Sequence, residues 1–206
     1  MVTNSVLPSV VKKFRLPEIL NASEQSALLS IPNKNAPTGL RNFCMLSLFL
    51  NLGLRVNELI LLKVKDIDWL SGKLTVREGK GGRDRILWLS ENDLEQLHQW
   101  RLIRPPGGSY LFCTLAGGRL NDRYVRDMVK RYARRAGIEK DIHPHTLRHT
   151  FATDLLRDTK NIRLVQRALG HVSIANTMIY THIVDDELES SLKSFRNNRL
   201  PSRKEG

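Results

Sequence analysis

The chain has 206 residues, 41% of them hydrophobic, which is enough to bury one domain and thin for two. Its 33 Lys and Arg against 21 Asp and Glu leave a formal charge of +12, a balance that suits a polyanionic partner, nucleic acid first. No run of about 18 apolar residues exists to cross a bilayer, the first ten residues lack the basic and apolar regions of an export signal, and two cysteines without Cys-x-x-Cys argue against a disulfide framework or a cysteine-built zinc site. A cytoplasmic protein of one domain is the expectation.

Residues 1–15 show no sustained period and end in the basic stretch Val11-Lys12-Lys13-Phe14-Arg15, which reads as a flexible basic arm. Asn21 with Glu24 three residues on has the form of a capping box, and Ala27, Leu28 and Ile31 supply an apolar face, so a first helix is expected and Pro32 ends it. From Leu40 the line Leu40, Phe43, Cys44, Ser47, Leu48 and Asn51 is broadened by Met45, Leu46, Phe49, Leu50 and Leu52. Such a helix is apolar nearly all round and belongs at the centre of the core. Gly53 can take the left-handed conformation that stops it, and Arg55 then heads the next helix, 55–62. A purely structural pairing of Arg55 with Glu58 at i+3 is the competing reading of that arginine.

Residues 73–77 alternate polar and apolar, 85–89 return, and the glycine-rich turn 78–83 joins them into a β-hairpin with Lys80 and Arg83 near its tip. These glycines are not a P-loop, because the order G-x-x-x-x-G-K-[ST] is absent and no helix follows. Ser90 with Asp93 caps a helix through Leu94 and Leu97 to about Leu102, closed by Pro105-Pro106-Gly107-Gly108, and 110–112 is a short buried segment. Asn121 opens a helix with Val125, Met128, Val129, Tyr132, Ala133 and Ala136 on one side, ended by Gly137. The same helix carries Arg123, Arg126, Lys130, Arg131, Arg134 and Arg135. These cations do not alternate with acids as on a salt-bridged solvated face, so the helix is read as a DNA-facing surface.

Pro144 fits the first turn of a helix that sets His145, Arg148 and His149 at i, i+3 and i+4 of one face, with Phe151, Leu155 and Leu156 on the other. A helix from Ile162 to Leu169 stops at Gly170 and leaves His171 just past its end. Ser173 then caps a short helix, 174–182, bearing Tyr180, and Asp185 begins a last helix through Leu188, Leu192 and Phe195 before a basic end. The fold class is mainly α with a small antiparallel β-sheet, α+β, in one domain over 16–206.

The stretch 143–180 concentrates groups suited to phosphodiester chemistry. A guanidinium matches phosphate oxygens, imidazoles move protons near neutral pH, and a phenol can be a covalent nucleophile. His145 and His149 also have the spacing of a zinc pair. Against zinc, Thr146 stands where a metalloprotease helix needs Glu, and Arg148 would place a positive charge beside the metal.

The motifs Leu52-Gly53-Leu54-Arg55-Val56-Asn57-Glu58-Leu59, Gly79-Lys80-Gly81, His145-Thr146-Leu147-Arg148-His149 and Leu169-Gly170-His171, with Tyr180 nine residues later, resemble the catalytic domain of the tyrosine recombinases, or phage integrases, across 16–196. The resemblance implies that Arg55, Lys80, His145, Arg148, His171 and Tyr180 occupy the family's six active-site positions, with Glu58 as the acid behind them and His149 adjoining. Asn57 departs from the small serine of many members. It also implies site-specific recombination of double-stranded DNA through a 3′-phosphotyrosine, with no metal or ATP, by protomers that assemble into a tetramer on DNA. Family members generally add an N-terminal helical domain that completes a clamp, and residues 1–15 are too few to be one; the resemblance permits both a catalytic fragment and a short recombinase of the fimbrial-switch type. A DNA-binding regulator that does not recombine, and strand cleavage of the type IB topoisomerase kind, are the alternatives.

Overall fold

The computed structural model describes residues 17–77 and 84–197, apart from the side chains at 182, 186–191, 193–194 and 196–197. The arm 1–15, Lys80 and Arg83 of the hairpin turn, the Leu188 side chain and the basic end 198–206 lie outside the described residues.

Among the described residues, eight α-helices and one hairpin follow in chain order: α1 (Ala22–Ser30), α2 (Pro37–Leu52), α3 (Val56–Leu61), β1 (Lys73–Val76), β2 (Arg85–Trp88), α4 (Glu91–Ile103), α5 (Asp122–Arg135), α6 (Pro144–Thr159), α7 (Ile162–Leu169) and α8 (Ala175–Asn197). Thirteen of the sixteen residues of α2 are buried, as its all-round apolarity requires, and α1, α4 and α6 pack on it. The helix starts at Pro37 rather than Leu40, because a proline in the first turn loses no hydrogen bond there. Its buried polar groups are all satisfied. Arg41 donates to the Cys113 carbonyl and to Tyr124, Asn42 donates to the Tyr132 hydroxyl, and Ser47 and Asn51 donate to Asp93 of α4. The capping boxes behave as their sequences dictate: Asn21 accepts from the Glu24 amide at 2.9 Å, and Ser90 from the Asp93 amide at 3.1 Å.

The hairpin is antiparallel, with Val76 opposite Arg85 and Leu74 opposite Leu87. Those four side chains turn inward, whereas Ile86 and Trp88 face outward, 51% and 63% exposed. An arginine therefore takes an inward position on β2 beside apolar neighbours.

Two apolar clusters form. The larger gathers α1 to α5, the hairpin and Leu147 of α6; the smaller joins Ala152 and Leu156 of α6 to Val165 and Leu169 of α7 and Tyr180 and Ile183 of α8. Helix α6 contributes to both, so its polar face sits on the seam between them. The separate helices expected for Tyr180 and for the segment after Asp185 are one continuous helix, Ala175–Asn197. No glycine or proline interrupts 175–197, and nothing else in that stretch stops helix propagation.

Gly53 closes α2 at φ +58°, and a Cβ there would lie 2.3 Å from Cδ1 of Phe151 on α6. Gly53→Ala combines left-handed strain with overpacking against α6, so it should cost about 2–4 kcal/mol of stability. Urea unfolding of the variant measures this.

Candidate active site

Helix α3 begins at Arg55, which is held in an extended conformation by its own cap: its amide donates to Oε2 of Glu58 at 2.7 Å, and its guanidinium to Oε1 at 2.8 Å. Glu58 is buried, 7% exposed, and a second arginine meets it there. Arg85 of β2 grips both oxygens, Nη1 to Oε1 and Nη2 to Oε2, each at 2.8 Å, and its Nε donates to the Ala168 carbonyl at the end of α7. A third guanidinium, Arg148, stands 3.9 Å from Oε2.

Arg148 is buried on α6 and ties together two helix ends. It donates to the Gly53 carbonyl at the end of α2 and, at 2.7 Å, to the Leu169 carbonyl at the end of α7. Carbonyls in a last helical turn have no intrahelical partner and carry the negative end of the helix dipole, so a cation suits them. Gly170, at φ +68°, then turns the chain so that the His171 ring comes 3.3 Å from Arg148, while the buried Thr177 hydroxyl lies 3.0 Å from its Nδ1. The Tyr180 ring is a core residue, 2% exposed, yet its hydroxyl lies 3.0 Å from Nδ1 of His149.

Arg55, His145, Arg148, His149, His171 and Tyr180 line one open cavity of about 640 Å³, with Ala175, Asn176, Met178 and Ile179 of α8 as its floor. Burial raises the Glu58 carboxyl, and the Arg85 hydrogen bonds and charge, with Arg55 and Arg148, more than reverse this and hold it below the usual carboxylate range. Burial and the neighbouring guanidiniums of Arg55 and Arg85 bring Arg148 down to about 10. Burial and adjacent cations push His149 and His171 down to about 4, and His145 falls in the same direction. Burial raises the Tyr180 phenol, which Arg148 partly offsets. At neutral pH His149 and His171 are therefore uncharged.

Five of the six residues matched by resemblance thus meet in one cavity, and the sixth, Lys80, lies outside the described residues, as does Arg83. Arg55 is paired with Glu58, as its structural reading has it, and it also lines the cavity. His149, read as adjoining the site, touches the Tyr180 hydroxyl directly. The cations of α5 are more often paired than the sequence suggested, because Arg126 reaches Asp122, Arg123 lies 3.8 Å from Asp127, and Lys130 lies 3.3 Å from Asp141 of the following loop. Arg131 and Arg134 are exposed and have no ion-pair partner among the described residues. Among the described residues no three His, Cys, Asp or Glu side chains are placed to hold a metal ion, and no helix is long and apolar enough to cross a membrane. Sequence reasoning missed Arg85 and Thr177; no local signal marks either, since the partners of Arg85 lie 27 and 83 residues away.

Residues 18–187 match the Phage integrase family. The chain is 41% identical over 172 residues to tyrosine recombinase XerC of Xanthomonas campestris pv. campestris (strain B100), an alignment that covers 82% of this chain and 52% of that protein. Its structure superposes on the crystal structure of XerA recombinase with a TM-score of 0.76 at 34% identity, covering 91% of this chain and 67% of XerA. It superposes equally, at 0.76 and 32% identity, on XerH site-specific recombinase bound to a palindromic difH substrate in a post-cleavage complex, covering 88% and 54%. The chain belongs to the phage integrase family and has the fold of a tyrosine recombinase catalytic domain. It spans about half the length of the curated relatives it matches.

The depressed imidazoles make stability depend on pH. Below the ordinary value of 6.5 the unfolded chain protonates His149 and His171, whereas the folded chain takes up those protons only near pH 4. Stability is thus intact above pH 6.5 and falls on acidification towards pH 4.5, with a slope of about two protons from this pair and a further fraction from His145. Urea titrations across that window should show the slope drop by about one proton in His149→Gln.

Proposed function

We propose that the chain is a site-specific DNA recombinase that cleaves and rejoins strands through a 3′-phosphotyrosine at Tyr180. The observation that carries this reading is the single cavity in which the Tyr180 hydroxyl, two arginines and three imidazoles converge. A scissile phosphate seated there meets Arg55 and Arg148. Of the five N–H donors of Arg148, three face Gly53, Leu169 and His171, which leaves two for the non-bridging oxygens.

The Tyr180 oxygen attacks phosphorus, its proton passes to Nδ1 of His149, and the bond to the 5′-oxygen breaks. Lys80, carried by the hairpin, protonates the departing 5′-oxygen to leave a 5′-hydroxyl, and His145 and His171 orient the phosphate. Charge gathers on the non-bridging oxygens in the transition state, where the preplaced guanidiniums stabilise it. Because one ester replaces another, a different 5′-hydroxyl can reverse the step without metal or ATP. Arg131, Arg134 and the paired cations Arg123, Arg126 and Lys130 of α5, with Arg83, hold the flanking phosphates, and the work is cytoplasmic. A regulator that only binds DNA would form no covalent species, and a type IB topoisomerase would relax one duplex without joining two sites.

The test is to incubate the full chain with a pool of nicked duplexes carrying a randomised core, trap covalent complexes with detergent, and sequence the attached DNA and its junctions. Wild type should yield adducts and rejoined junctions from two duplexes, Tyr180→Phe should bind DNA and yield none, and Arg148→Ala should cleave the selected duplex about 100 to 1,000-fold more slowly. An adduct in Tyr180→Phe would remove Tyr180 from the role.

Exchange between two sites needs four cleavages and each protomer carries one Tyr180, so four protomers act together. Leu192 on α8 is 55% exposed, well beyond the part of the helix packed against α6 and α7, and suits a contact with a neighbour. Leu192→Asp should leave the melting temperature unchanged and abolish cooperative assembly on the selected duplex, read by mass photometry.

A further inference from the structure

Arg85 is almost wholly buried, does not line the cavity, and has no part in the reaction as described so far. Its position is unusual in what it does to a neighbour. An ionised carboxylate offers about four acceptor sites. Those of Glu58 are filled by four donors: the Arg55 and Arg85 guanidiniums on Oε1, and the Arg55 amide and Arg85 guanidinium on Oε2. Two of the four come from Arg85. Arg148 is therefore kept at 3.9 Å, outside hydrogen-bond distance of a buried negative charge that would otherwise draw it in.

We propose that Arg85 is a positioning residue for strand cleavage: by occupying both oxygens of Glu58 it keeps Arg148 directed at the DNA phosphate instead of at the carboxylate. This rests on the cleavage reading above. Three guanidiniums surround one carboxylate, so two positive charges remain over for the phosphate. Without Arg85 only one remains, and half the acceptor sites of a buried carboxylate are vacated. Arg148 is the cation nearest to fill them, and in turning it gives up the orientation set by Gly53 and Leu169. The same side chain also fastens the cavity's parts together, since Nε holds the Ala168 carbonyl and its chain lies against Gly170, where a Cβ would come within 3.2 Å of Cδ. The hairpin that bears Lys80 is thereby joined to the helix that ends at His171.

A scaffold role and a positioning role differ in what Glu58 does once Arg85 is gone. The experiment is a double-mutant cycle of Arg85→Gln and Glu58→Gln, read as the single-turnover cleavage rate at saturating selected duplex, with DNA affinity and melting temperature measured alongside. Arg85→Gln should lower the rate at least tenfold with affinity within about threefold of wild type. Glu58→Gln in that background should restore much of the loss, because a neutral amide no longer attracts Arg148. Arg85→Lys, which keeps the charge but cannot reach both oxygens, should fall between the two. Wild-type rates in Arg85→Gln, or a loss that Glu58→Gln leaves unchanged or deepens in folded protein, overturns the proposal. Should Arg85→Gln not fold, the double variant decides: recovery of both fold and cleavage supports the proposal, whereas an inactive or unfolded double variant assigns Arg85 to the scaffold alone. The control is the wild-type Tyr180 adduct. Its absence would refute the recombinase reading, and its presence with indifferent Arg85 variants would refute only this inference.

Discussion

The structure depends on one buried carboxylate. Glu58 lies 7% exposed beneath the cavity, and an ionised carboxylate in that position is tolerable only when its oxygens are filled. They are filled from two directions, by the head of α3 and by the inward face of β2. A small hairpin with two strands of four residues each would be marginal by itself. Here it is fastened to the helical body through an ion pair that solvent hardly screens, and the turn that bears Lys80 is carried on a fixed base.

The second constraint is the ends of helices. α2 and α7 both finish on a left-handed glycine, Gly53 and Gly170, and both leave carbonyls that their own helices cannot satisfy. Arg148 takes one carbonyl from each, and Arg85 takes another from α7. The scaffold's leftover acceptors thus place Arg148, the arginine proposed to bind phosphate, and its orientation follows from the fold rather than from a flexible tether. This is why glycines are needed at both junctions: a side chain at either would strike Phe151 or Arg85, the neighbours that hold the site's walls.

Much of this was legible in the sequence, and the remainder was hidden for physical reasons. Helix starts at Asn21, Ser90 and Asn121 could be read because a capping side chain and the amide that donates to it are close in sequence. The grouping of His145, Arg148 and His149 could be read because helical spacing sets it. Arg85 could not, since its partners are 27 and 83 residues away, and alternation by hydropathy would turn Ile86 and Trp88 inward instead. They face outward because Leu74 and Val76 of β1 already point to the core, and pairing in register puts Leu87 and Arg85 beside them. The break expected before Asp185 failed for the opposite reason: a pair of acids suggested a new helix start, but a start needs a stop before it, and 175–197 contains none. Of the acids that meet the α5 cations, Asp122 and Asp127 stand on the helix itself at i,i+4, whereas Asp141, which meets Lys130, belongs to the loop after it and could not be paired by helical spacing.

As the proposed nucleophile, Tyr180 meets two opposing demands. A nucleophile should be accessible and readily ionised, yet its ring is packed in the smaller core and burial raises its phenol. The surrounding groups reconcile them. Burial first, and then the positive charge of the neighbouring His145 and Arg148, keeps His149 neutral, with its Nδ1 3.0 Å from the Tyr180 hydroxyl. In the proposed reaction an anionic phosphate entering the cavity would offset part of that positive charge and strengthen His149 as a base as phosphorus comes within reach of the phenol. In the proposed reaction the substrate's own charge would help complete the proton acceptor, and the packed ring would supply the alignment that a mobile tyrosine lacks.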